Sequence, residues 1–150
     1  MYGDKGEVPE GEYILPIGVA DIKREGSDVT IISFGKIIKE AYKAADELEK
    51  EGISCEIIDL RTVRPLDYNA VINSVKKTNR LVILEEAWPF GNVSTEITYQ
   101  VQEKAFDYLD APIQKINTAD TPAPYSPVLL AEWLPNHTDV IKAVKKVMYK

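Results

Sequence analysis

Few side chains in this sequence of 150 residues are of the types that catalyse reactions or bind metals. The chain has one histidine, His137, and one cysteine, Cys55, which excludes an internal disulfide, a cysteine-cluster zinc site and a histidine-rich metal site. Cys55 lies in an apolar stretch and is predicted to be an unreactive core residue. His137 is predicted to be a solvated loop residue. Chemistry that depends on either residue is therefore not favoured.

Two pairs of charged residues stand where predicted strands end. Glu85 and Glu86 could serve acid–base chemistry or a dimer contact, or they could bond to a loop and a helix terminus. Because neighbouring strand residues point to opposite faces, the two glutamates are not expected to act as a pair. Arg61 and Arg64 could bind an anion or pair with nearby carboxylates. The residues alone leave both alternatives open.

Large aromatic side chains next to prolines form a further group. Trp88 and Phe90 flank one proline, Tyr125 follows another, and Trp133 lies two residues before a third. Aromatic residues in loops favour protein interfaces, although they could equally cover the domain's own core.

Two acidic residues, Asp107 and Asp110, lie at the end of a predicted helix. The helix dipole disfavours negative charge at that end, so acids kept there indicate a basic partner. The alternative is that both are ordinary solvated acids.

Composition and missing motifs exclude several classes of function. The 24 acidic and 18 basic residues give a net charge of −6, which argues against a nucleic-acid or anionic-membrane binder. No apolar run is long enough to span a membrane, and the first residues lack the apolar core of a signal peptide. Glycine-rich nucleotide loops, a hydrolase nucleophile elbow and a zinc-protease motif are also missing. These absences favour a partner-binding or assembly domain over a complete enzyme.

The order of patterns along the chain predicts an α/β fold. Continuous β-branched runs alternate with segments of helical spacing, as in a parallel sheet with helices on both faces. Asp67 and Asp139 are predicted helix N-caps. Phe106 is predicted as a core residue of a helix that reaches Tyr108, and Pro127 as part of a non-helical stretch. The predicted strands span residues 17–23, 29–34, 54–60, 81–84 and 113–116.

Several segments, in this order and spacing, resemble the C-terminal domain of 2-oxo acid dehydrogenase beta subunits of the pyruvate dehydrogenase type, within the transketolase C-terminal family. The resemblance implies a three-layer α/β/α fold with a five-stranded, mixed and mostly parallel sheet whose first strand is antiparallel. Residues 1–16 are then an interdomain linker and residues 17–150 the domain. The segments include Cys55-Glu56-Ile57-Ile58-Asp59-Leu60-Arg61-Thr62, Glu85-Glu86-Ala87-Trp88-Pro89-Phe90-Gly91, Phe106-Asp107-Tyr108-Leu109-Asp110-Ala111-Pro112 and Trp133-Leu134-Pro135-Asn136.

The resemblance also implies a division of labour. In the family, thiamine diphosphate and its Mg ion are held by an upstream domain of the beta subunit and by the alpha subunit. That upstream domain is expected to be absent from this chain. We therefore expect no catalytic, cofactor-binding or metal-binding residue here, and no activity of the isolated chain.

Two roles remain for the domain within that family. One is docking on the subunit-binding domain of the dihydrolipoyl acyltransferase, whose basic residues would meet Asp110 and the terminal carboxylate of Lys150, if Lys150 is the natural end. The other is assembly with the upstream domain, the alpha subunit and a second beta subunit. The candidate residues for that assembly are Glu85, Glu86, Trp88, Phe90, Tyr125 and Trp133.

Other functions stay open at this stage. The chain could belong to a branched-chain 2-oxo acid or acetoin dehydrogenase, or it could be a free-standing α/β domain that binds a small molecule. The resemblance implies a cytoplasmic location in a bacterium and the mitochondrial matrix in a eukaryote.

Overall fold

A computed structural model describes residues 6–7 and 9–150. Five strands and five helices alternate along most of the described chain. The strands are β1 (Asp21–Arg24), β2 (Val29–Ser33), β3 (Cys55–Asp59), β4 (Leu81–Leu84) and β5 (Gln114–Ile116). The helices are α1 (Ile38–Lys50), α2 (Tyr68–Thr78), α3 (Val93–Ala105), α4 (Pro127–Trp133) and α5 (His137–Val147).

The strands form one mixed sheet in the order β1-β3-β2-β4-β5. β1 pairs with β3 in the antiparallel sense, and all other neighbours are parallel. This confirms the expected five-stranded, mostly parallel sheet with an antiparallel first strand. We call the side where the parallel strands begin the amino edge and the side where they end the carboxyl edge.

Helices cover both faces of the sheet, as the continuous apolar strands require. All five residues of β2 are buried, so this strand contributes to both cores. One core joins α1 and α5 to the face that carries Val29 and Ile31. The other packs buried residues of α2 and α3 against the face that carries Ile32. α4 contributes no buried residue and lies outside both layers.

Helix ends follow local capping chemistry, with two corrections to the sequence-based predictions. The Asp67 side chain accepts a hydrogen bond from the Ala70 N–H, which confirms it as an N-cap. α5 is capped by Asn136 instead of Asp139, because Asp139 is the third helical residue and closes a capping box. Pro127 begins α4, since a proline at the first helical position needs no N–H partner.

The carboxyl-terminal end of α3 also departs from expectation. The helix ends at Ala105 and tightens into a single 3₁₀ turn at Phe106–Tyr108. The prediction of Phe106 as a core residue is wrong, because this change of geometry leaves its side chain 60% exposed.

The chain before β1 follows the surface of the domain. The described residues up to 16 form no helix or strand, and their apolar side chains, such as Ile14, are exposed. The first firm attachments are the Gly18 N–H to the Thr62 Oγ1 and the Ala20 N–H to the Asp67 Oδ2. The linker assignment of residues 1–16 stays a prediction, and residues 1–5 and 8 lie outside the described part.

None of the helices in residues 6–7 and 9–150 combines the length and apolar character that crossing a bilayer requires.

Candidate functional site

Glu85 and Glu86, the two glutamates after β4, have separate environments. Glu86 is exposed, whereas Glu85 is fully buried. The Glu85 carboxylate accepts hydrogen bonds from the Ser94 N–H at the start of α3 and from the Asn117 side-chain amide, each at 3.1 Å. It therefore satisfies a helix terminus and a loop, which was one of the two interpretations. The Glu85 side chain is enclosed within its own domain, and its assignment as an interface residue stays a prediction.

A shared acceptor joins the loops of the carboxyl edge. The indole N–H groups of Trp88 and Trp133 both donate to the Thr121 carbonyl, at 3.0 and 2.9 Å. In addition, the Thr118 N–H donates to the Ala87 carbonyl and the Ala119 N–H to the Trp133 carbonyl. These bonds tie the segments after β4 and β5 to α4.

The same loops present aromatic side chains to solvent. The side chain of Phe90 is 90% exposed, Tyr125 is fully exposed, and Trp88 is about half exposed. Trp133 is partly buried. We call Trp88, Phe90, Tyr125 and Trp133 the aromatic surface. Val128 and Leu129 on α4 extend it with further exposed apolar side chains. Hydrogen bonds thus hold the loops of this surface while its apolar side chains face solvent.

Asp110 lies at the opposite, amino edge, just before β5. Its N–H donates to the Asn79 carbonyl at 2.9 Å, which holds its backbone against the end of α2. Its carboxylate Oδ2 is 3.2 Å from Nη2 of Arg80, and the side chain is 55% exposed. The carboxylate is therefore held in place while it remains accessible.

The structure brings the last residues of the chain to Asp110. The Tyr149 hydroxyl donates to the Asp110 carbonyl at 3.0 Å. Arg80 donates through Nε to the Val147 carbonyl at 3.1 Å while its guanidinium also contacts Asp110. Lys150 is exposed, and its N–H donates to the Lys145 carbonyl. The two residues predicted for docking thus belong to one segment of surface.

Arg80 and Tyr149 escaped prediction, although they position this surface. Arg80 follows Asn79, which ends α2 with a left-handed backbone, and only the tertiary fold shows that its side chain turns toward Asp110. Tyr149 itself has φ of +56°, an uncommon value outside glycine. Neither residue carries a motif that would have identified it.

Cys55, His137 and Arg61 have surroundings that account for them within the domain, whereas Arg64 is exposed. Cys55 is buried, and burial raises the pKa of its thiol to about 12, which fits an unreactive core residue. His137 begins α5 instead of lying in a loop, and its Nδ1 is 3.2 Å from the Glu40 Oε2. Arg61 pairs with Asp21 at 2.5 Å, as the carboxylate alternative predicted. Lys23 and Arg61 together hold the pKa of Asp21 below its usual value.

That this domain binds neither thiamine diphosphate nor its metal ion stays a prediction. Among the residues that the structure describes, no group of three or more His, Cys, Asp or Glu side chains is arranged to hold a metal. At the carboxyl edge the exposed Glu86 would repel a diphosphate, and the Arg61 guanidinium is already paired. No chemical step is therefore assigned to this domain.

Known proteins resemble the chain along its whole length. It is 53% identical to the pyruvate dehydrogenase E1 component subunit beta of Rhizobium meliloti (strain 1021), over 100% of this chain and 33% of that protein. The corresponding Rickettsia felis subunit is 50% identical over 99% of the chain and 46% of that protein. The beta subunit of the Bacillus subtilis acetoin:2,6-dichlorophenolindophenol oxidoreductase is 45% identical over 98% of this chain and 43% of that protein.

The chain spans between a third and a half of the length of these curated relatives. Among solved structures, a split-gene transketolase described as an inactive beta4 tetramer matches with a TM-score of 0.80 and 26% identity, over 96% of this chain and 46% of that one. The family model of the transketolase C-terminal domain matches residues 18–140. With this fold and this match, the chain belongs to the transketolase C-terminal domain family.

Proposed function

We propose that this chain is the C-terminal assembly and docking domain of a thiamine-diphosphate-dependent 2-oxo acid dehydrogenase beta subunit, most like the pyruvate dehydrogenase type. That enzyme decarboxylates pyruvate oxidatively and transfers the acetyl group to lipoyl groups. The observation that carries the proposal is the 53% identity to a pyruvate dehydrogenase beta subunit over the full length of the chain. In this proposal thiamine diphosphate and Mg belong to the whole enzyme, and the present domain supplies contacts.

Docking on the acyltransferase is the proposed role of the amino edge. A basic subunit-binding domain would meet the carboxylate of Asp110 and, if the chain ends naturally there, that of Lys150. The support is geometric, since Arg80 occupies one side of Asp110 and the Tyr149 hydroxyl holds the chain end against it. A charge held in position before binding loses little freedom when the partner arrives.

Subunit assembly is the proposed role of the carboxyl edge. The aromatic surface, with Glu86 beside it, would contact a second beta subunit, while the upstream domain and the alpha subunit complete the enzyme. The exposed rings of Phe90 and Tyr125 support this role, because aromatic residues are enriched in the buried centre of interfaces. The beta4 tetramer of the split-gene transketolase is consistent with it.

The docking role is tested by Asp110→Lys in the full-length beta subunit assembled with its alpha subunit. We expect the affinity for the subunit-binding domain, measured by calorimetry, to fall by about 2–5 kcal/mol because a like charge replaces the acceptor. The matched control is Asp120→Lys, which reverses an exposed acid near the opposite edge. Unchanged affinity of the Asp110 variant would contradict the docking role.

An acetoin dehydrogenase is the second candidate, because one relative at 45% identity is an acetoin oxidoreductase subunit. Turnover of pyruvate, branched-chain 2-oxo acids and acetoin by the assembled enzyme separates these possibilities. We expect pyruvate to be preferred, and preference for another substrate would replace this assignment. The proposed location is the bacterial cytoplasm or the mitochondrial matrix, in line with bacterial relatives and two mitochondrial ones.

A further inference from the structure

A recess at the amino edge lies directly beside Asp110. It has a volume of about 440 Å³ and is open to solvent. Its lining is mostly apolar and comes from the end of α3 and the segment before β5. The principal lining residues are Phe106, Leu109, Asp110, Ala111, Pro112 and Ile113. We call this the docking recess.

The floor of the docking recess is continuous with the core of the domain. Leu109 and Ile113 pack against the buried cluster of α2 and α3, and Ala111 is buried in the other cluster. Phe106 stands at its wall with 60% of its side chain exposed. A rigid floor with an exposed aromatic wall can take an apolar side chain without rearrangement, because the cavity exists before the partner binds.

The charge beside the docking recess is acidic. Glu103 and Asp107 lie on the same stretch of chain as the lining residue Phe106, and both are exposed. Within residues 6–7 and 9–150 neither forms an ion pair. Arg80 contacts only Oδ2 of Asp110. An apolar recess beside acids of this kind complements a partner that carries a basic and an apolar side chain close together.

We infer that the docking recess receives an apolar side chain of the same subunit-binding domain whose basic residue meets Asp110. The inference rests on the proposed docking function and adds an apolar anchor to it. Because Asp110 forms part of the lining, the two partner residues must be neighbours on one surface. Residues three or four apart on a helix have this spacing, so the docking segment is expected to be an amphipathic helix.

Two variants of the full-length subunit, assembled with its alpha subunit, test the docking recess. Phe106→Ala removes its wall, and Gln102→Trp, at an exposed lining position of α3, fills it. By calorimetry we expect each variant to bind the subunit-binding domain at least tenfold more weakly, with an unchanged dependence on salt. Asp110→Asn should weaken binding and also reduce the salt dependence, because it removes a charge.

The control is Tyr99→Ala, which removes an exposed aromatic ring from the same helix but outside the docking recess. We expect it to bind as the unchanged protein does. If Asp110→Asn weakens binding while both recess variants bind normally, the apolar anchor is overturned and docking stands. If none of the three weakens binding, the docking function itself fails. If Tyr99→Ala weakens binding as much as the recess variants do, the anchor is not local and the inference is overturned.

Discussion

The two edges of the sheet differ in their most prominent polar and apolar groups, although both expose aromatic side chains. At the amino edge, Glu56 is fully buried yet completely paired: its carboxylate accepts from the Ser74 hydroxyl at 2.5 Å, from the Gly26 N–H and from Lys77. Thr30 continues the network at 2.6 Å from Ser74. At the carboxyl edge, aromatic rings that could have been buried stand in solvent.

This difference is consistent with the two kinds of association proposed above. At the amino edge the accessible charge of Asp110 is held in position by Arg80, which favours specific and reversible docking whose rate and selectivity come from electrostatics. Exposed apolar area at the carboxyl edge favours a lasting subunit contact, because such interfaces resemble a divided core. One domain can therefore serve as a permanent building block and as an exchangeable docking site, provided the two surfaces are separate.

The largest expected effect comes from breaking the paired network of the amino edge. Glu56→Ala removes the buried carboxylate that accepts hydrogen bonds from Ser74 and Lys77. We expect the free energy of unfolding of the full-length subunit, from urea titration, to fall by about 3 kcal/mol, the lower end for a buried pair because Lys77 is partly exposed.

Glu25→Ala is the control for this experiment, since Glu25 also binds Lys77 but lies in solvent. It should leave stability almost unchanged, because an ion pair in solvent contributes little. Equal losses for the two variants would show that burial of Glu56 is not what matters.

A smaller effect, on association alone, is expected at the carboxyl edge. Phe90→Ser and Tyr125→Ser remove exposed rings, so the unfolding free energy should change by no more than about 0.5 kcal/mol. In the full-length subunit we expect the beta pair of the variants to dissociate at protein concentrations about tenfold higher than the unchanged pair does, as measured by sedimentation. If the variant with both substitutions assembles as the unchanged protein does, the aromatic surface is not part of the interface.

The smallest effect is expected on the pH dependence of stability and comes from the hydrogen bonds to the Glu40 carboxylate. Burial acts to raise the pKa of this carboxyl, but hydrogen bonds from Lys43 and from His137 outweigh burial and hold the pKa below its usual value. A lowered folded pKa contributes stability above the unfolded value, about 4.3 for glutamate, and loses it as pH falls through the folded pKa.

We therefore expect the unfolding free energy of Glu40→Gln to drop less below about pH 4.3 than that of the unchanged protein. The difference should be less than about 1 kcal/mol, measured by urea titration across pH. His137→Gln is the companion variant, because it removes the ring contact and keeps the backbone N–H bond to Glu40. A Glu40 variant with the acid profile of the unchanged protein would contradict the assigned hydrogen bonds.

Much of the fold could be predicted because its signals are local. β-branched runs and helical spacing placed every strand within a few residues, and the Asp67 cap follows from side-chain chemistry alone. Errors arose where short-range alternatives compete. Asn136 and Asp139 are both good capping residues, and Phe106 lies where α3 gives way to a 3₁₀ turn.

The site was less accessible to prediction because its geometry depends on distant segments. Asp110 was identified, but its contacts with Arg80 and Tyr149 join residues 30 and 39 positions away in the chain. For Glu85, the sequence could not predict burial. Its position after a strand is compatible with exposure or burial, and only the approach of Asn117 and Ser94 decides between them.

The packing of α5 on α1 has a consequence for synthesis of the protein. Val140, Val144 and Val147 complete a core whose other members, including Val29 and Ala41, are translated about a hundred residues earlier. A ribosome adds roughly 5–20 residues per second, so that apolar face stays open for several seconds. It closes only when α5 has emerged, which makes the nascent chain a natural client for chaperones that bind exposed apolar surface.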